Sequence, residues 1–304
     1  MKKPTAEAAP TQRQPLVHMC CDRILTGPEK IRAMKAAIAE NSKNAPKTAA
    51  PRQRLLGVSS MDAPAKMALQ TGKKWAVGKT LGVYFMDGSA VQKARVKEHA
   101  IKWSSFANVG FNFAASKASA QIRISFVADS GSWSYIGTDA LGIAKTQPTM
   151  NFGWLKDDTD DSEYERVVVH EFGHALGAIH EHQNPKGGIQ WNLPAVYAYF
   201  AGPPNNWSKE ETDINVVGKY SVDQLNASKY DPDSIMLYQF DGALIKGGKP
   251  TKFNTRLSPG DKRSFARNTP LPDVVPPVAV THCGTRGCFS SSGERNVAAV
   301  FSGA

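Results

Sequence analysis

Leu81, Val83 and Phe85 alternate with small or exposed positions as a half-buried strand does, and Asp87-Gly88 ends the run. The period then changes. In AVQKARVKEHAIKWSSFA, Val96, Ala100 and Trp103 share one face of a helix. Two further alternating runs follow, Val109, Phe111, Phe113 and then Ile122, Ile124, Phe126, both predicted as strands. DSGSWSYIGTDALG reads as a loop, and PTMNFGW as one more strand, whose Pro148 suits an edge better than a central position. Beyond the acidic KDDTDDSEYER a longer helix is predicted. Ser162 and Glu165 have the spacing of a capping box, which places its start near Glu163, and Gly177 is positioned to stop it. Short helices at NLPAVYAYF and SKEETDINVV, a compact turn at DPDSIMLYQF and a last helix near SPGDKRSFARN complete the pattern, with no internal repeat.

Before residue 70 the texture is different: Ala, Lys, Pro and Gln dominate, with one helix predicted at PEKIRAMKAAIAENS and breakers at Pro46 and Pro51. The division this implies is a basic N-terminal arm or pro-segment (1–70), a central domain (71–270) and a C-terminal extension (271–304). Charge follows the same division. The net charge is +10, yet residues 1–100 carry 18 Lys and Arg against 7 Asp and Glu, so the basicity belongs to the front third. Such an arm docks on its own acidic remainder or stays solvated; it lacks the interleaved aromatics of a nucleic-acid surface, and no nucleic-acid partner is expected. No apolar run approaches the roughly 18 residues of a membrane span.

The four cysteines lie outside the central region as Cys20, Cys21 and Cys283, Cys288. A disulfide closing CGTRGC implies an oxidising compartment, and a secreted or extracellular location is the expectation; thiols binding metal with His18 and His282 are the alternative. The start, MKKPTAEAAPTQRQPLV, lacks the continuous apolar stretch of a secretory signal.

The chemistry concentrates in VVVHEFGHALGAIHEH, residues 167–182. On a helix His170 and His174, four apart, project from one face and reach a single ion. Glu171 lies beside that ion rather than on it, which suits a general base that takes a proton from water activated by the metal. His180 is too far along to join them on a straight helix, so the chain must bend. Gly177 can adopt the left-handed conformation that brings His180 back as the third ligand. Three neutral imidazoles leave a zinc ion its full charge and an open position. A chain of this composition produces HExxHxxGxxH by chance roughly once in 10⁵ sequences. His182, by contrast, reads as a bystander.

HEFGHALGAIHEH resembles the zinc signature of the metzincin metallopeptidases, and Glu181 after the third histidine is similar to the astacin branch. DSIMLY resembles the astacin Met-turn, which implies that Met236 forms an apolar floor under the metal and Tyr238 is a displaceable extra ligand. A phenol there can swing away and donate a hydrogen bond to a developing oxyanion. GSWSYIGTD and PTMNFGW look like the stretch of bacterial astacin-like peptidases that ends in the substrate-aligning edge strand, which implies that Thr149, Met150, Asn151 and Phe152 pair with an extended peptide. The resemblance covers roughly residues 75–270. It departs in QNPKGGIQWN, which replaces the Arg- and Asp-rich sequence of animal astacins, in the lack of central cysteines and in the lack of an FxGD pro-peptide motif.

The resulting expectation is an α+β, metzincin-like zinc peptidase. Its upper lobe has a twisted, mostly parallel sheet with an antiparallel edge strand and two helices; its lower lobe is irregular and carries the Met-turn. It is expected to be a monomeric zinc endopeptidase acting on polypeptides, with His170, His174, His180 and Tyr238 at the metal and Glu171 and Tyr238 catalytic. The alternatives are a zinc hydrolase of cell-wall or other non-protein amides, and a polyanion-binding protein with a structural zinc. Cys20 or Cys21 as a thiolate latch on the metal is a separate question of regulation.

Overall fold

The computed structural model describes residues 20, 23, 25, 27–45, 72–128, 130–203, 205–220 and 229–268, all within one compact unit. Cys21, the residues 46–71 and the proposed Cys283–Cys288 loop lie outside them. Five strands form one sheet: β1 (Thr80–Phe85), β2 (Gly110–Asn112), β3 (Ile122–Ser125), β4 (Ser132–Ser134) and β5 (Met150–Phe152), in the order β2-β1-β3-β5-β4. The first four in that order run parallel, with Val83 opposite Ile122 and Ile124 opposite Met150; β4 is antiparallel to β5, with Trp133 opposite Asn151. The mostly parallel sheet with an antiparallel edge is therefore present.

Two expectations about that edge are corrected. The edge strand is β4, which lies inside the stretch read as a loop. Three residues, Ser-Trp-Ser, are too few to show a period, and Gly and Ser around them mimic turn composition. Met150–Phe152 is interior, hydrogen-bonded to β3 on one side and β4 on the other, so its backbone has no free edge for a peptide. Pro148 precedes the strand and so leaves its ladder intact. The side chains agree. Asn151 accepts from Ser125 Oγ (2.7 Å) and Val127 N (2.9 Å) and donates to Gly131 O (2.6 Å), while Thr149 Oγ1 accepts from Arg123 N (2.8 Å).

α2 (Ala90–Ala100) and α3 (Asp161–Ala175) pack together and share the larger core with the sheet. Ser89 caps α2 in a reciprocal box with Gln92. The box expected for α3 does not form: the helix starts at Asp161 behind Asp160, with no side-chain cap. Glu165 is instead drawn to Lys102, 2.9 Å away on the turn that continues α2. Asp161 and Glu163 in the first turn still favour that end of the helix dipole. From Arg166 to Ala175 every residue of α3 is buried, as the unbroken VVVHEFGHA requires.

After His180 the chain builds a smaller core from short pieces, including α4 (Leu193–Ala201) and α5 (Lys209–Thr212), with Trp191, Val196, Phe200, Leu237, Tyr238 and Phe240 inside. A final helix, α6 (Pro259–Asn268), returns to the larger core through Phe265, whose ring lies 4.3 Å from Trp103. The N-terminal helix α1 (Gly27–Glu40) does not make its own core: Leu25 and Ala33 pack against Ile143 and Tyr135 on the catalytic part of the chain. Asn44 fixes the end of this segment by donating to Lys74 O and accepting from Lys74 N, at 2.8 and 3.0 Å.

Candidate metal centre

α3 ends where the sequence says it must. Gly177 has φ +104°, and the two reverse bonds of a Schellman turn follow: Ala178 N to Gly173 O (2.9 Å) and Gly177 N to His174 O (2.8 Å). The indole of Trp75 satisfies one more terminal carbonyl, Ala175 O, at 2.8 Å. The reversed chain then presents His180 to the helix.

The three ring nitrogens converge. His174 Nε2 lies 3.1 Å from His170 Nε2 and 3.0 Å from His180 Nε2, and all three residues are buried to 2% exposure or less. A tetrahedral ion with Zn–N bonds near 2.0–2.1 Å separates its ligand nitrogens by about 3.3 Å, so the spacing needs only a small expansion. Backbone carbonyls set the tautomers. Nδ1 of His170 donates to Ile235 O (2.8 Å) and Nδ1 of His174 to Ala178 O (2.9 Å), which turns both Nε2 lone pairs toward the common point. Burial, then the neighbouring His174 and His180, hold the His170 pKa well below 6.5, keeping the neutral form that a cation needs. The donor set therefore fits zinc: three neutral imidazoles, pre-oriented, with no competing charge among them.

The turn at 234–238 packs against α3 beside the three rings. Met236 is 3% exposed, and its sulfur packs so closely on α3 that a methyl at Gly173 would meet it at 2.6 Å. The same turn holds two ligands by backbone: Ile235 O takes the His170 proton, and Met236 O accepts from Glu181 N (2.9 Å) beside His180. Tyr238 places its hydroxyl against His180 Nε2 and donates to Cys20 O at 2.6 Å. Glu171 is fully buried, and within 4.8 Å of one another lie a Glu171 oxygen, a His170 ring nitrogen and Cys20 Sγ.

Glu181 does not face this group. Its carboxylate accepts from Asp231 N (2.8 Å) and Asn184 Nδ2 (2.9 Å), tying the third-ligand segment to the approach of the Met-turn. Burial pushes its pKa up to about 7. His182 stacks on His180, with ring centroids 5.2 Å apart, and donates to Asn215 O (3.0 Å).

The structure adds residues the sequence reading missed. Asp261 on α6 receives Ser234 Oγ (2.6 Å), Ile235 N (2.9 Å) and Ser258 N (2.9 Å), so one buried carboxylate shapes the Met-turn from 25 or more residues away. Nothing local marks it. Trp103 Nε1 bonds Val169 O at 2.9 Å beside the first ligand. Gly173 did carry a signal, since glycine inside a helix costs about 1 kcal/mol and needs a packing reason.

Three imidazoles on and just beyond a buried helix, a carboxylate between the first two and a methionine floor define a zinc metallopeptidase. Residues 68–188 match the sequence profile of the peptidase family described as Astacin. A solved structure of myroilysin is 45% identical, with a TM-score of 0.64, covering 66% of this chain and 96% of that one. A second, a crystal structure of myroilysin, is 43% identical, with a TM-score of 0.52 over 66% and 86%. No curated protein sequence matches significantly. The chain belongs to the astacin family and is a zinc endopeptidase that acts on polypeptides. None of its described helices is long and apolar enough to cross a membrane.

Proposed function

We propose that His170, His174 and His180 hold the catalytic zinc, that Glu171 is the general base and Tyr238 the oxyanion donor, and that residues 1–70 are a pro-segment whose Cys20 end covers the site. The convergence of three Nε2 atoms at 3.0–3.1 Å carries the reading. Bound zinc supplies Lewis acidity, polarising a carbonyl and making water acidic near neutral pH. The protein supplies the rest. Glu171, buried beside the ligands, accepts the proton of the attacking water and returns it to the leaving amine. Tyr238, once its hydroxyl leaves Cys20 O, donates to the carbonyl oxygen as negative charge develops there. An extended peptide pairs with the free edge of β4, the position that Thr149–Phe152 was expected to fill.

The pro-segment reading rests on the docking of Cys20, Arg23, Leu25 and residues 27–45. Cys20 is 2% exposed with its thiol beside His170 and Glu171, and its carbonyl occupies the Tyr238 hydroxyl. A thiolate there would supply a sulfur ligand to bound zinc at the position otherwise left to water. Substituting cobalt for zinc tests it: the wild-type chain should show a sulfur-to-cobalt charge-transfer band that Cys20→Ser lacks. A spectrum identical in both removes the latch.

The central test is Glu171→Gln in the activated enzyme. It should keep one zinc per chain while kcat falls about 10²- to 10⁴-fold; undiminished turnover removes Glu171 as base. A secreted, monomeric enzyme completes the proposal, supported by the polypeptide substrate class and by a site assembled within one chain.

A further inference from the structure

We infer that Trp133 on the edge strand is a recognition surface for an arginine side chain of the substrate, lying about three residues from the scissile bond. The inference rests on the reading that the pro-segment covers the cleft, because it treats Cys20 and Arg23 as a template for what the cleft accepts. Cys20 sits beside His170 and Glu171, its carbonyl held by Tyr238. Three residues further on in sequence, the guanidinium carbon of Arg23 lies 4.4 Å from the ring centroid of Trp133. Trp133 is the middle residue of β4, the free sheet edge, so one residue of the arm stands at the histidine group and another, three positions later, at the proposed substrate-pairing strand.

The chemistry of the contact is specific. Trp133 stands on β4 between Ser132 and Ser134, whose side chains alternate to the opposite face, and its ring is braced edge-on by Tyr135 with centroids 5.8 Å apart. The ring is 6% exposed with Arg23 laid over it, and release of the arm would bare that face on the edge strand. Arg23 is exposed, and the contact that the structure gives its guanidinium is the face of the Trp133 ring. A planar, weakly hydrated guanidinium suits that face better than an ammonium does.

The test uses the full-length, zinc-loaded chain carrying Cys20→Ser and Arg23→Ala, so that neither the thiol nor the chain's own arginine competes with the peptide. Quenched peptides with arginine, lysine or the neutral isostere citrulline at each of four positions on either side of the scissile bond are compared. Arginine should exceed citrulline by about 2- to 5-fold in kcat/KM at a position near three residues from the bond, carried by KM, with lysine between them. Trp133→Leu should abolish the preference and Trp133→Phe reduce it, the second variant covering the case in which the first does not fold. No arginine preference with Trp133 present, or the same preference in either variant, overturns the inference. Calorimetric titration of the same peptides into the Cys20→Ser/Arg23→Ala/Glu171→Gln chain separates the two readings. A Trp133-dependent preference in binding without cleavage by the Glu171 enzyme sinks the catalytic assignment alone, while cleavage without the preference sinks this one alone.

Discussion

At the residue scale, the site depends on which nitrogen of each histidine is left to bind. Ile235 O and Ala178 O settle this for His170 and His174, so the ligands are aimed by backbone that belongs to the Met-turn and to the Schellman turn. Tyr238 is tied to the same group through His180 and Cys20. Tyr238→Phe removes the hydroxyl and keeps the ring that packs in the smaller core. It should lower kcat on the order of 10²-fold with little change in KM, read from steady-state kinetics of the activated enzyme. Glu181 gives a prediction for pH. Its folded pKa of about 7 lies above its ordinary 4.5, so its stabilising contribution is full below 4.5 and is lost as pH rises through 7. Glu181→Gln retains both accepted hydrogen bonds at one carbonyl oxygen. It should therefore match wild type at pH 4 and exceed it at pH 8, by an amount on the order of 1–3 kcal/mol in denaturant melts.

At the scale of elements, α3 delivers the chemistry because it ends abruptly. Gly177→Ala puts a Cβ at φ +104°, which costs about 1–2 kcal/mol. The strain falls on the turn that presents His180, so zinc affinity should drop on the order of 10-fold in competition with a chelating dye. Gly173→Ala acts by a different route, forcing the Met236 sulfur out of a 2.6 Å contact. It should cost about 1–3 kcal/mol of stability in thermal melts, as overpacked cores do. The sheet shows the limits of pattern. Ile122 and Ile124 alternate around Arg123 as if it faced water, yet Arg123 is fully buried, its guanidinium donating to Gln147 O, Ala120 O, Ile143 O and Ala144 O. Carbonyls of the 137–147 region do what solvent would have done. Period 2 reports that two faces differ; it does not report that one of them is wet.

Across the whole molecule, the proposed metal ligands come from both sides of the reversal at Gly177, and the turn packed beside them is organised by Asp261 on the last described helix. In the proposed site zinc binds only the folded arrangement. Chelation should thus lower the melting temperature, with the full value restored by added zinc, since about 2.7 kcal/mol follows from ligand at 100 times its Kd. An unchanged melting curve would mean that the imidazoles are held together without the ion.

The sequence by itself determined the local devices: the i, i+4 histidine pair, the glycine that reverses the chain, the acid between the ligands, and the strands and helices long enough to show a period. Each is set by forces acting within a few residues, namely helical spacing, the steric freedom of glycine and the segregation of apolar side chains. Only the tertiary structure decided that Ser132–Ser134 and not Met150–Phe152 lies at the edge, that Arg123 is interior, that Glu165 pairs with Lys102 rather than capping its helix, and that Cys20 reaches the metal group. These depend on which distant partner claims a backbone edge, a carboxylate or a thiol, and that competition is resolved only when the chain is closed on itself.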